Sequence, residues 1–187
     1  AGLFFTGFAA FWAPLPLLIA AEGFDAGHIF WLYLASSLGS AVCYGPAGRV
    51  ATRYDRRLLQ TGALTARSVL FPAVSVVAGL AAVDLRFWTA IACFAGIGVT
   101  WAVIAVVGTV IVTGLAPPDA RGDVLGAHTA LGAVAGAVGG LLGGWLATVG
   151  FEVAFLAAGG LVLAGGVLVL TLRLGAGGST PGHPSGR

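Results

Sequence analysis

The chain has 187 residues, of which 58% are hydrophobic and only 9% charged, and its mean hydropathy is +1.00; a soluble domain is nearer half apolar and a quarter charged. That balance excludes water as the principal solvent. The net charge of +2 comes from nine arginines, with no lysine, against seven acids, a surplus too small and scattered for a nucleic-acid surface, so no nucleic-acid partner is expected.

A bilayer core roughly 30 Å thick calls for about 20 apolar residues in a helix. Runs of that size fall near 2 to 20, 28 to 46, 58 to 80, 87 to 114, 124 to 148 and 152 to 173. They predict an all-α membrane protein with six transmembrane helices in one domain over residues 1 to 174. The first run follows Ala1 with no Met and no basic segment ahead of it. It therefore reads as a span of an internal fragment and not as a signal peptide. Within it, Trp12 precedes Pro14 and Pro16, which remove backbone donors and should kink the helix; broken spans point to binding sites. The second run carries Tyr33, Ser37, Ser40 and Tyr44 at spacings of four, three and four. This is one polar stripe along a helix, which should avoid lipid unless its serines are bonded to their own helix.

A basic connection, Gly48 to Arg57, leads to the third run. There Arg67 lies nine residues past Leu58, roughly 14 Å into the membrane at 1.5 Å per residue. An intramembrane charge is a functional hypothesis by default, set against a structural pairing with Gln60 or with groups outside the chain. In the fourth run Thr100 and Trp101 lie at a depth similar to Trp12. The fifth run begins with His128, read as a proton-relay group or as packing, and continues with Gly132, Gly136, Gly140 and Gly144 at four-residue spacing, expected to form a close-packing face. From Gly175 onward nothing can be buried, and 175 to 187 is expected to be a disordered tail. Cys43 and Cys93 sit in separate runs without metal-ligand spacing; neither a metal nor a cofactor is expected.

Alternating the connections places Arg49, Arg53, Arg56, Arg57, Arg121, Arg173 and Arg187 on one side and only Arg86 on the other. Arginine-rich connections stay cytoplasmic, so the expected topology is a multi-pass protein of the cytoplasmic (plasma) membrane with both ends of this chain in the cytoplasm. Trp31, Trp88 and Trp145 fall near the opposite edge, as an aromatic belt should.

The stretch Gly48-Arg49-Val50-Ala51-Thr52-Arg53-Tyr54-Asp55-Arg56-Arg57 resembles the loop motif of the major facilitator superfamily, Gly-x-Leu-Ala-Asp-Arg-x-Gly-Arg-Arg. Gly48, Ala51, Arg53, Arg56 and Arg57 match in place, whereas Thr52 stands where the family has Asp and Asp55 where it has Gly. Pro117 to Gly122, followed by Gly126, is similar to the family's connection before the fifth helix of a half. Gly136 to Gly144 has the spacing of the antiporter motif, with Leu141 in place of its proline. These departures, and a fourth span without charge, resemble the C-terminal six-helix half. A weak echo, Gly48-Arg-Val-Ala-Thr52 and Gly144-Trp-Leu-Ala-Thr148, fits the three-plus-three inverted repeat that builds each half.

The resemblance implies secondary active transport of a small solute by alternating access, with the basic motif tuning the conformational balance. It also implies an N-terminal six-helix half as partner, the lipid bilayer as surroundings, and a small-molecule substrate with or without proton coupling. Spans one, two and four would line the pathway through Trp12, Tyr33, Ser37, Ser40, Thr100 and Trp101. The rivals are a non-transporting scaffold or self-assembling half-transporter and, further off, a membrane-embedded enzyme. The serines lack the Gly-x-Ser-Gly nucleophile turn of six-span proteases, and the acids are not clustered for metal.

Overall fold

The computed structural model describes residues 1–79 and 83–171; the expected tail, Arg173 and Arg187 lie outside the described residues. Seven helices make up the described chain: α1 (Gly2–Trp12), α2 (Leu15–Ala21), α3 (Ala26–Arg53), α4 (Arg56–Ala78), α5 (Val83–Leu115), α6 (Arg121–Val149) and α7 (Phe151–Thr171). With α1 and α2 taken as one broken span, six segments are long and apolar enough to cross a membrane.

The span breaks at Ala13 and Pro14, where Pro14 and Pro16 lack the donors that would continue the ladder. Pro46 and Pro72, by contrast, sit inside α3 and α4, which neighbouring helices make tolerable. Two aspartates set helix starts. Asp25 accepts from the His28 backbone N–H at 2.9 Å, and Asp55 from the Arg57 backbone N–H at 2.7 Å, each relieving a donor of the first turn. The His28 backbone and ring together hold the exposed Asp25 carboxyl below the usual carboxylate range. α3 runs on to Arg53, so most of the basic motif is helical and only Tyr54 and Asp55 link α3 to α4.

The packing repeats itself. α1 lies on α6 as α5 lies on α3; α1 also packs on α7 as α5 does on α4, and α4 and α7 close on each other. This is the pairing expected when spans one to three and four to six are equivalent units, the second entering from the opposite face. The sequence echo has a physical counterpart: Thr52 donates to the Arg49 carbonyl at 2.8 Å and Thr148 to the Trp145 carbonyl at 2.7 Å, while Gly48 and Gly144 both face open space.

Backbone approach at glycine holds the two symmetric pairs together. A Cβ on Gly98 of α5 would run into the Ser36 carbonyl of α3, and one on Gly139 or Gly143 of α6 would run into the Thr6 or Ala10 carbonyl of α1. The close-packing face of α6 is therefore Gly132, Ala135, Gly139 and Gly143. This corrects the four-residue series expected from sequence: Gly136 and Gly144 meet nothing within 4 Å. The reason is geometric, because a spacing of four drifts around a helix of 3.6 residues per turn, and the contact line steps by three and four. At the centre of the bundle, Phe11, Phe71 and Phe155 are fully buried, with Phe11 stacked on Phe71 at 4.0 Å between centroids and 4.9 Å from Phe155. At the end opposite the basic motif, Arg86 of α5 pairs with Glu22 at 2.7 Å.

Candidate functional site

The break after α1 leaves Trp12 as the last residue of its helix, and its indole lies 5.1 Å from the Tyr33 ring of α3 and 6.0 Å from the Phe94 ring of α5. These three helices, with Arg67 of α4, border an open cavity of about 500 Å³. α1 contributes Phe8 and Trp12, α5 contributes Ile97 and Trp101, and α3 contributes Tyr33, Ser36, Ser37, Ser40 and Tyr44. The expected stripe of α3 thus lies along one cavity wall, with Tyr33 and Tyr44 left 36% and 42% exposed on the open side. Ser40 also bonds its own helix: its hydroxyl reaches the Ser36 carbonyl and the Gly98 carbonyl, each at 3.0 Å. Ser40 therefore borders the cavity and is bonded to its own helix as well.

Arg67 forms the floor of this cavity. Its side chain is fully buried and crosses from α4 to α5, where Nε donates to Thr100 Oγ1 at 3.2 Å and Nη2 donates to the Ile97 carbonyl. Thr100 itself donates to the Ile97 carbonyl at 2.9 Å, so one turn of α5 is arranged as an acceptor for the guanidinium. The rings of Phe8, Trp101, Phe71 and Phe4 stand 5.6 to 6.0 Å from its carbon, within cation–π range. Nη1 has no partner among the described residues. A charge at mid-span costs at least ~2.5 kcal/mol; two hydrogen bonds and four rings act against that cost, while Nη1 stays unmet.

The expected pairing of Arg67 with Gln60 does not occur. Gln60 lies seven residues back, about 10 Å along the helix, and its Oε1 is buried without a partner among the described residues. Gln60 instead lines a second cavity of about 380 Å³, together with Phe4, Phe5, Thr109, His128 and Trp101. His128 therefore stands apart from the first cavity, its ring 5.8 Å from Phe5 in an edge contact. Thr100 is likewise absent from the first cavity's wall, because its hydroxyl turns to Arg67. Trp12, Tyr33, Ser37, Ser40 and Trp101 are the expected residues that the fold does bring together, with Arg67 beneath them.

Trp101 belongs to both cavities, and it stacks on Phe4 at 6.2 Å and against Phe8 at 5.2 Å. These three rings pack together between α1 and α5, with Phe8 on the first cavity, Phe4 on the second and Trp101 on both. One chamber lies at mid-bundle beside α3, and the other runs toward the basic end beside α6. Sequence reading missed Phe4 and Phe8, although Phe4, Phe8 and Phe11 recur at helical spacing and could have been read as an aromatic face of the first span.

At the basic end, Gly48, Arg49 and Arg53 occupy the last turns of α3, Asp55 caps α4, and Arg56 and Arg57 open it. Arg56 Nη1 lies 3.9 Å from the place a Cβ on Gly114 would take, close to the C-terminal end of α5, where a cation is favoured by the helix dipole.

No curated protein and no solved structure matches the chain. The family model of the Major Facilitator Superfamily matches residues 1–186. Together with six apolar helices of membrane-spanning length, packed as two equivalent sets of three, this shows a multi-pass membrane protein, and the chain belongs to the major facilitator superfamily.

Proposed function

We propose that the chain is the C-terminal half of a secondary transporter, moving a small solute by alternating access against an N-terminal six-helix half in the cytoplasmic membrane. Members of this family are transporters, not enzymes, and the observation that carries the reading here is the α1–α5 seam. Two chambers lie along it, and both are bordered by the Trp101 ring. A solute at mid-bundle would leave toward the basic end only when Trp101, Phe4 and Phe8 separate, which is the behaviour of a gate. The positive-inside rule makes the basic end, and both ends of the chain, cytoplasmic. The basic motif would then lie where the two halves meet on that face and bias the inward-open and outward-open states.

Uptake of labelled organic solutes into vesicles carrying the protein with its partner half tests this. Saturable uptake is expected for at least one solute, falling by about tenfold or more in Trp101→Ala at equal membrane abundance, equivalent to roughly 1.4 kcal/mol at the gate. Uptake no different from empty vesicles would favour the scaffold reading. Undiminished uptake in the variant would remove Trp101 from the pathway.

A further inference from the structure

The groups left unmet around the first cavity are donors. Arg67 is fully buried with Nη1 unpartnered, and the Trp12 indole Nε1–H is also buried and unpartnered among the described residues; both residues line the same cavity. No carboxylate side chain among the described residues answers them with a charge. All seven acids lie in connections or within the first turn of a helix, far from mid-span. The Thr100 hydroxyl and the Ile97 carbonyl already satisfy Nε and Nη2, which fixes the guanidinium plane and leaves its remaining edge as the free one. Such a fork, held in place and desolvated, recognises an oxyacid group better than any neutral acceptor.

We propose that Arg67 and Trp12 form the anion-recognition end of a solute site, so that the cavity takes a small organic anion. Its carboxylate or similar oxyacid group would sit against Arg67 Nη1 and Trp12 Nε1, and its aromatic or apolar body among Trp12, Tyr33, Tyr44 and Trp101. The volume of about 500 Å³ is that of a solute pocket, and the aromatic walls suit a planar body. In the described conformation Phe8 and Trp101, 5.6 Å from the guanidinium carbon, cover the charge. The anion reaches it by a rotamer change in these two rings, which pack together between α1 and α5. This assignment deepens the transport reading and rests on it for every step after binding.

The test uses the 187-residue chain in lipid nanodiscs, with empty nanodiscs as blank. Fluorine NMR measures the binding of three shape-matched probes, para-fluorobenzoate, para-fluorobenzamide and para-fluorobenzylammonium. The benzoate should bind at least about tenfold more tightly than the amide, the difference a charged hydrogen bond supplies over a neutral one, with the ammonium weakest. Arg67→Gln should bring benzoate and amide to within about twofold, whereas Arg67→Lys, which keeps the charge but not the fork, should retain a preference of about threefold. The order of the three probes on the unaltered chain needs no variant and decides the matter even if Arg67→Gln fails to fold. Amide binding equal to benzoate, an ammonium preference, or no saturable benzoate binding below about 5 mM would overturn the assignment. Each would point instead to a carboxylate of the second half as the partner of Arg67. Acid-selective binding without uptake in the vesicle assay would sink the transport reading and leave the site standing; uptake indifferent to charge would do the reverse.

Discussion

Arg67 shows how far a residue can be read before its neighbours are known. Its depth followed from counting along the third span, and the cost of a charge there marked it as functional. Its partners did not follow, because they lie on α5, 30 and 33 residues away, and no local spacing encodes a contact between helices. The nearer polar residue, Gln60, was the natural expectation and the wrong one. Thr100 is the residue that makes the burial tolerable, since its hydroxyl accepts from Arg67 Nε at 3.2 Å and donates to Ile97 at 2.9 Å. Thr100→Val keeps the shape and removes the acceptor, so it should lower stability by about 1.5–3 kcal/mol, the range for a lost hydrogen bond to a charged group. Thr100→Ser should restore most of it. Thermal unfolding in detergent reads the difference, and a Val variant as stable as the parent would show that the Ile97 carbonyl and the rings suffice.

At the scale of helices, hydropathy and length were enough to count the spans, because a bilayer leaves the backbone no choice but to bond within each segment. Ends were less legible. α3 continues to Arg53 through Pro46, since a polar, arginine-bearing turn is helical as readily as not once it has left the membrane. Which glycines bring helices together was also hidden, for a chain with 31 glycines offers several regular series, and of the described glycines of α6 it is Gly139 and Gly143 that meet a neighbour's backbone. Gly98→Ala places a methyl on the Ser36 carbonyl, between two helices that pack closely along their length. It should cost about 1–3 kcal/mol or more as α3 is pushed from α5, and should distort the wall that carries Ser37 and Ser40. Gly136→Ala meets nothing within 4 Å and should be neutral or stabilising by up to about 1 kcal/mol through helix propensity. Equal effects of the two substitutions on thermal unfolding would mean that α3 and α5 are not held by this approach.

Among the described residues, one face of the molecule has no neighbour of its own. α3 packs chiefly on α5 and α6 chiefly on α1, and between them the seam that holds both cavities faces outward. Along α3, Tyr33, Leu38, Val42 and Tyr44 are exposed, and along α6 so are Val134, Val138 and Leu141, the last at 78%. The apolar members of this set are at ease in lipid. The hydroxyls of Tyr33, Ser37 and Tyr44 beside the first cavity are not, because a polar group facing hydrocarbon without a partner is destabilising. A second six-helix half covering the seam would resolve this, and in this class solute sites form where two such units meet. An isolated chain should therefore still bind an organic acid weakly through Arg67, which it owns entire, yet transport nothing, because no opposing wall exists to close over the solute from alternate sides. Reconstituting the 187-residue chain in liposomes and measuring benzoate uptake beside the same chain co-assembled with the proposed N-terminal half separates these outcomes. Uptake by the chain alone at the rate of the assembly would mean that two copies of this face close on each other, and that the functional carrier is a homodimer rather than one half of a twelve-span protein.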